Sequence, residues 1–171
     1  MQWREIEDFP GYSVSNFGRV RNDLNDRILT LQRNQHGVVN VGLVRDGIQY
    51  KRSVALLVCE TWLPNEAEEM SAFDTPIHLD GDTMNNHIDN LMWRPRWFAV
   101  KYQRQFNEPH PSIRGQIQDI ETGYRFNDSW HAATTFGLLD KEIRESIIQR
   151  TYVWPTYQRF RIVHKEDRIA S

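Results

Sequence analysis

A chain of 171 residues with 39% hydrophobic positions can build one ordinary domain or two to three small modules, but not one large core. Its single cysteine, Cys59, excludes an intrachain disulfide framework and a cysteine-based zinc site, and no apolar run nears the roughly 18 residues that span a bilayer. The formal net charge of −2 excludes a chain that attaches to polyanions by bulk charge alone.

The charge is nevertheless segregated. Residues 1–53 hold eight Lys/Arg against six Asp/Glu, a net of +2. Residues 54–93 hold eight acidic residues and no Lys or Arg, and residues 94–171 return to a net of +4. An acidic middle therefore lies between two mildly basic flanks. The opening Met-Gln-Trp-Arg-Glu-Ile is too polar for a signal peptide, so a soluble, cytoplasmic protein without membrane association is expected.

From the N-terminus, Tyr12, Val14 and Val20 are strand formers around a turn at Ser15-Asn16-Phe17-Gly18. Ile28–Leu31, Val38–Val44 and Ile48–Ser53 continue as short strands, and Asp46-Gly47 is a strong hairpin signal between the last two. Val54, Leu57, Val58, Thr61 and Trp62 then recur at helical spacing until Pro64, with Cys59 as a buried, inert thiol. Residues 65–76 read as an acidic loop. Ile77–Trp93 is short, polar and rich in Asp, Asn and Gly, and Pro95 opens a helix over Trp97–Phe106.

The C-terminal third reads as a separate module. Gly115–Ile120 and Tyr124–Asn127 flank Glu121-Thr122-Gly123 as a hairpin. Asp128 caps a helix Trp130–Phe136 that Gly137 stops, and Asp140 caps a second, Lys141–Arg150. Two short helices over a tight turn make a helix-turn-helix-like pair, and Tyr157–Val163 alternates as a strand returning to the hairpin.

The chemistry concentrates in His78-Leu79-Asp80-Gly81-Asp82-Thr83-Met84-Asn85-Asn86 and His87-Ile88-Asp89-Asn90-Leu91-Met92-Trp93. Asx residues beside Gly also serve plain turn chemistry. As a whole the segment resembles the core of the HNH homing endonucleases, where a His leads, Asp-Gly opens a loop, an Asn pair follows and Asn-Leu-x-Trp closes it. The stretch from Trp3-Arg4-Glu5-Ile6 to Gly11-Tyr12-Ser13-Val14-Ser15-Asn16-Phe17-Gly18-Arg19-Val20 resembles the module that precedes that core in these enzymes. Ser129-Trp130-His131-Ala132-Ala133 with Gly137-Leu138 resembles their C-terminal helix-turn-helix repeat.

The resemblance implies a ββα-metal finger in which His78 is the general base and Asn90 orients it, with one divalent ion, usually magnesium, at the leaving oxygen. It also implies phage or mobile-element origin. Three departures stand out. The ligand position before the His is Ile77, and the second ligand position, on the following helix, is Ala99. Neither side chain has a lone pair for a hard cation. Ala55-Leu56 stand where the motif's upstream helix opens with His-Arg. The expectation is no resident metal, with Asp74, Asp80 or Asp82 as substitute candidates, Asp80 foremost, and Mg2+ relevant only to an active-nuclease alternative.

The expected fold class is α+β: an antiparallel β module at 1–53, a ββα-finger-like core at 54–108, and a hairpin with a helix-turn-helix-like module at 113–164. The expected function is double-stranded DNA binding by a pseudoenzyme relative of these endonucleases. The alternatives are an active nickase with non-standard ligands, or an accessory protein that binds a protein partner through the acidic 54–93 region. The expected nucleic-acid contacts are Arg19, Arg21, Arg94, Arg96, Lys101, Arg104, Lys141 and Arg144. Of the other histidines, His87 is expected to be solvated, His110 to lie in a linker between prolines, His36 and His131 to have no metal spacing, and His164 to be exposed.

Overall fold

Val14 and Val20 face each other across the first hairpin and are both fully buried. That pair anchors a four-stranded antiparallel sheet of β1 (Trp3–Glu5), β2 (Tyr12–Ser15), β3 (Val20–Asn22) and β4 (Arg27–Ile28). The turn between β2 and β3 is closed by the Ser15 hydroxyl, which accepts from the backbone N–H groups of Phe17 and Arg19 at 3.2 and 3.0 Å. A second sheet holds β5 (Gln32–Arg33), β6 (Val39–Arg45) and β7 (Ile48–Ser53). Asp46 and Gly47 both take positive φ, 53° and 75°, so the β6–β7 hairpin is the two-residue type that its Asp-Gly pair favours.

Of the expected strand Ile28–Leu31 only Ile28 is extended, at the end of β4, and β5 of the second sheet starts after it at Gln32. Leu29 and Leu31 leave the ladder to pack against the core, and the strand breaks there. Helix α1 (Val54–Trp62) follows β7 directly, with the Ser53 hydroxyl accepting from Leu56 N. Val54, Leu57, Val58 and Cys59 are buried on it and join Ile6, Phe9, Val14, Val20, Val41, Leu43 and Leu91 in one core. Each aliphatic side chain so buried contributes roughly 1.5–3 kcal/mol.

The computed structural model describes residues 1–65, 71–109 and 111–169, so His110 and part of the expected 65–76 loop lie outside the described residues. Strands β8 (Thr75–His78) and β9 (Leu91–Arg94) pair antiparallel, with Ile77 opposite Met92 and His78 opposite Leu91. A single 3-10 turn, Ile88–Asn90, leads into β9, and α2 (Arg96–Gln105) follows Pro95. The expected ββα order is therefore present. The chain divides into two compact units, Met1–Ala99 and Val100–Ser171.

The second unit is a three-stranded sheet ordered β11 (Arg125–Asp128), β10 (Arg114–Asp119), β12 (Phe160–Ile162), with α3 (Ser129–Phe136) and α4 (Asp140–Gln149). Asp128 caps α3 by accepting from His131 N, and Gly137 ends it in the left-handed region at φ 66°. Ile117, Ala132, Ala133, Leu138, Ile143 and Phe160 form its core. A five-residue helix, α5 (Lys165–Ile169), follows β12.

Two local expectations are corrected. Asp140 is the first residue of α4, not its cap. Its carboxylate turns inward, accepting from the Ser129 hydroxyl and pairing with Arg144 at 2.9 Å. The final strand is only Phe160–Ile162, because Tyr157 takes a positive φ of 54° that breaks the extended run. Among the described residues no helix is long and apolar enough to cross a membrane.

Candidate functional site

His78 ends β8 and Asn90 precedes β9, so the loop between them starts and finishes at one end of the two-stranded ladder. Asp80, Asp82 and Asn85 fold this loop with their own side chains. Asp80 Oδ1 accepts from Asp82 N at 2.8 Å, Asp82 Oδ1 accepts from Met84 N at 2.9 Å, and Asp80 Oδ2 accepts from Asn85 Nδ2 at 2.8 Å. Gly81 supplies the one positive φ in this turn, 76°. Partial burial raises the Asp80 carboxyl, but bonds from Asn85, Asp82 N and Asn90 and the nearby His78 outweigh it. The group sits below its ordinary value.

Asn90 was expected to orient His78. Instead its side chain seals the loop: Nδ2 donates to Asp80 Oδ1 at 2.8 Å and to Asn85 O at 2.9 Å, and Oδ1 accepts from Asp80 N at 3.0 Å. The residue on His78 is Asn86, whose Oδ1 lies 2.7 Å from His78 Nε2. Asn86 is 4% exposed, while the His78 ring is half-buried. The motif carried an Asn pair as a visible signal. Which member faces the ring depends on how the loop closes, which spacing does not state.

Ile77 is 3% exposed, and its side chain points into the interior on the strand that carries His78. Ala99 lies on α2 and ends at Cβ. Among the described residues no group of three or more His, Cys, Asp or Glu is arranged to hold a metal ion. His87 is not simply solvated. Its ring meets Phe17 edge-on at 4.4 Å, and its Nδ1 accepts from Asp89 N at 3.1 Å. Cys59 is fully buried, and burial together with Glu60 pushes its thiol up to about 12.

The eight cations expected at nucleic acid separate into two groups. Arg19, Arg96, Lys101, Arg104 and Lys141 are exposed, Lys141 with Glu145 at 4.0 Å. Arg21 lies over the Trp3 ring at 4.6 Å and pairs with Asp23 at 2.9 Å. Arg94 is 6% exposed and donates to Trp93 O, and Arg144 pairs with the buried Asp140. These last three are engaged inside the fold, which residue type alone did not reveal.

Two acidic residues of the middle segment, Glu60 and Asp74, lie away from this loop, whereas Asp80, Asp82 and Asp89 belong to it. Asp8, Glu60 and Asp74, with Glu5 and Glu7, line a cleft that also holds Arg4 and Arg52 but none of His78, Asn86 or Asn90. Burial and the neighbouring Asp8 raise the Glu60 carboxyl, which Arg52 opposes.

Residues 1–44 match the NUMOD4 motif. The chain is similar to an uncharacterized HNH endonuclease of Acanthamoeba polyphaga mimivirus, 36% identical over 130 residues, which are 74% of this chain and 32% of that protein. A second uncharacterized HNH endonuclease of the same virus is 28% identical over 142 residues, 80% of this chain and 40% of its own length. The chain thus spans about a third to two-fifths of the length of these relatives. Among solved structures, its fold is similar to that described as "DNA binding and cleavage by the HNH homing endonuclease I-HmuI". The TM-score is 0.54 and the identity 20%, over 95% of this chain and 98% of that one.

Proposed function

We propose, from the premise that this chain belongs to the HNH homing-endonuclease family, that it is a double-stranded-DNA-binding protein in which phosphodiester cleavage is lost or impaired. The observation that carries the reading is Ile77: a hydrocarbon side chain, buried at 3% exposure, fills the position where the family places a metal ligand. Ala99 leaves the second position without an oxygen.

The family fold implies one divalent cation beside the His, and the residues present do not fit it. A hard cation needs several oxygen donors, and the two expected ones are replaced by carbon. Asp80 is a poor substitute, because Asp82 N, Asn85 and Asn90 already occupy its two oxygens.

DNA binding is supported by the exposed cations Arg19, Arg96, Lys101, Arg104 and Lys141, which lie in the two net-basic flanks. The structural neighbour is described as binding and cleaving DNA, which makes duplex DNA the partner to test first. The test pairs two assays on the full chain. Duplex binding is expected to weaken steeply as salt rises, and supercoiled plasmid with Mg2+ or Mn2+ is expected to stay intact. Nicking that His78→Ala removes would overturn the loss of cleavage, and salt-independent or absent binding would overturn the DNA-binding half.

One observation favours a second reading, an active nickase with ligands from other positions: His78 retains a buried amide partner on one ring nitrogen, an arrangement useful to a general base. The same plasmid assay separates the two.

A further inference from the structure

We propose that the β2–β3 turn, through Gly18, is the positioning element for His78: it sets Asn86 so that the His78 ring is held in one neutral tautomer. The inference rests on reading His78 as the base-position residue, but its test reads the ring itself and not cutting.

The chain of contact is short. Asn86 Oδ1 is 2.7 Å from His78 Nε2, and a carbonyl oxygen can only accept, so Nε2 carries the proton. The far end of the amide fixes this orientation. Asn86 Nδ2 faces Thr83 O at 3.4 Å, where a flipped amide would set oxygen against oxygen. No other hydrogen bond to the His78 ring forms among the described residues, so Nδ1 keeps its lone pair.

Asn86 is held in turn by a loop some seventy residues earlier in the chain. Gly18 takes φ +81°, and a methyl group in place of its hydrogen would lie 2.7 Å from Asn86 Cβ and 3.0 Å from Asn86 O. The first is closer than a real Cβ comes to another carbon and the second is tight, so Asn86 must shift if Gly18 gains a side chain. The same turn is fastened on either side of that contact. Ile88 N donates to Asn16 O at 2.9 Å, and Phe17 meets the His87 ring edge-on. A second turn approaches the same loop, with Gly37 3.4 Å from Thr83 Oγ1 by the same measure.

Gly11 provides the matched control. It also takes a positive φ, +87°, but an added methyl there meets nothing within 4 Å. Gly11→Ala therefore carries the backbone strain of Gly18→Ala without touching Asn86.

The experiment is a long-range proton–nitrogen correlation spectrum of the 15N-labelled full chain at a pH where imidazoles are neutral. The His78 signals are assigned by their loss in His78→Gln. In the parent and in Gly11→Ala, His78 is expected to show a protonated Nε2 and an unprotonated Nδ1, well separated in shift. In Asn86→Ala and Gly18→Ala that separation is expected to collapse toward the average of two exchanging tautomers. If Gly18→Ala does not fold, Phe17→Ala, at a half-exposed position of the same turn, replaces it with the same expectation. An unchanged His78 pattern in the folded turn variant overturns the proposal, as does an equal collapse in Gly11→Ala. A loss of DNA binding or a gain of nicking bears on the functional reading and leaves this result untouched.

Discussion

Asp80 and Asn90 bind each other twice across the base of the loop, Asn90 Nδ2 to Asp80 Oδ1 at 2.8 Å and Asp80 N to Asn90 Oδ1 at 3.0 Å. The carboxyl is held below its ordinary value, so the folded state binds this proton less readily than the unfolded chain. Its stabilising contribution is present above the unfolded value of about 4 and is lost as pH falls through the lower folded value. The group is largely exposed, so solvent screening keeps the effect small. Urea midpoints of the parent are expected to fall toward those of Asp80→Asn below pH about 4, and a constant gap down to strong acid would contradict the assignment.

Trp93 packs against the first core and donates from its indole Nε1 to Leu63 O. Trp93→Ala removes both the ring and the bond, for a loss of roughly 3–5 kcal/mol. Denaturation of the full chain measures it. A loss under about 1 kcal/mol would mean that β9 does not depend on this ring.

Arg144 and Lys141, one turn apart on α4, should behave differently. Arg144→Ala leaves the buried Asp140 carboxylate without its cation and is expected to cost about 3 kcal/mol. Lys141 is exposed and 4.0 Å from Glu145, so Lys141→Ala should stay within about 0.5 kcal/mol. Comparable losses in the two variants would refute the division of these cations into internal and outward groups.

For DNA binding, Arg96→Glu with Lys101→Glu is expected to weaken duplex affinity at every sequence and lower the salt slope by roughly one per lost phosphate contact. An unchanged slope, measured by salt titration, would remove α2 from the interface. If association with a protein is lost instead, the partner-binding alternative gains the ground.

Restoring oxygen at both replaced positions tests the lost-cleavage reading from the other side. Ile77→Asp combined with Ala99→Asn supplies the two donors that a hard cation requires. The double variant is expected to nick supercoiled plasmid with Mg2+ or Mn2+ in a manner that His78→Ala removes. Equal nicking by the parent would show that these positions are not what limits the reaction.

Most elements were legible because their signals are local. The Asp46-Gly47 turn, the helical spacing from Val54 to Trp62, the Asp128 cap and the Gly137 stop each follow from residues a few positions apart. What spacing missed depends on contacts between distant residues. Leu29 and Leu31 break a strand because a core assembled from α1 and β6 is there to receive them. Asn86 displaces Asn90 as the partner of His78 because Gly18 lets a distant turn settle against it. Arg21, Arg94 and Arg144 look like phosphate contacts as residue types, yet each meets a carboxylate, a ring or a carbonyl of its own fold.

The core that Ile6, Val14 and Leu43 share with Leu57 and Leu91 has a consequence for how such chains recombine. A crossover just after the NUMOD4 match at residue 44, or at the start of α1, would transplant half of a hydrophobic interior onto a foreign other half. The mismatched side chains would leave cavities or overlaps costing several kcal/mol together. A fragment cut at 44 is therefore a recognisable sequence without being a transferable part.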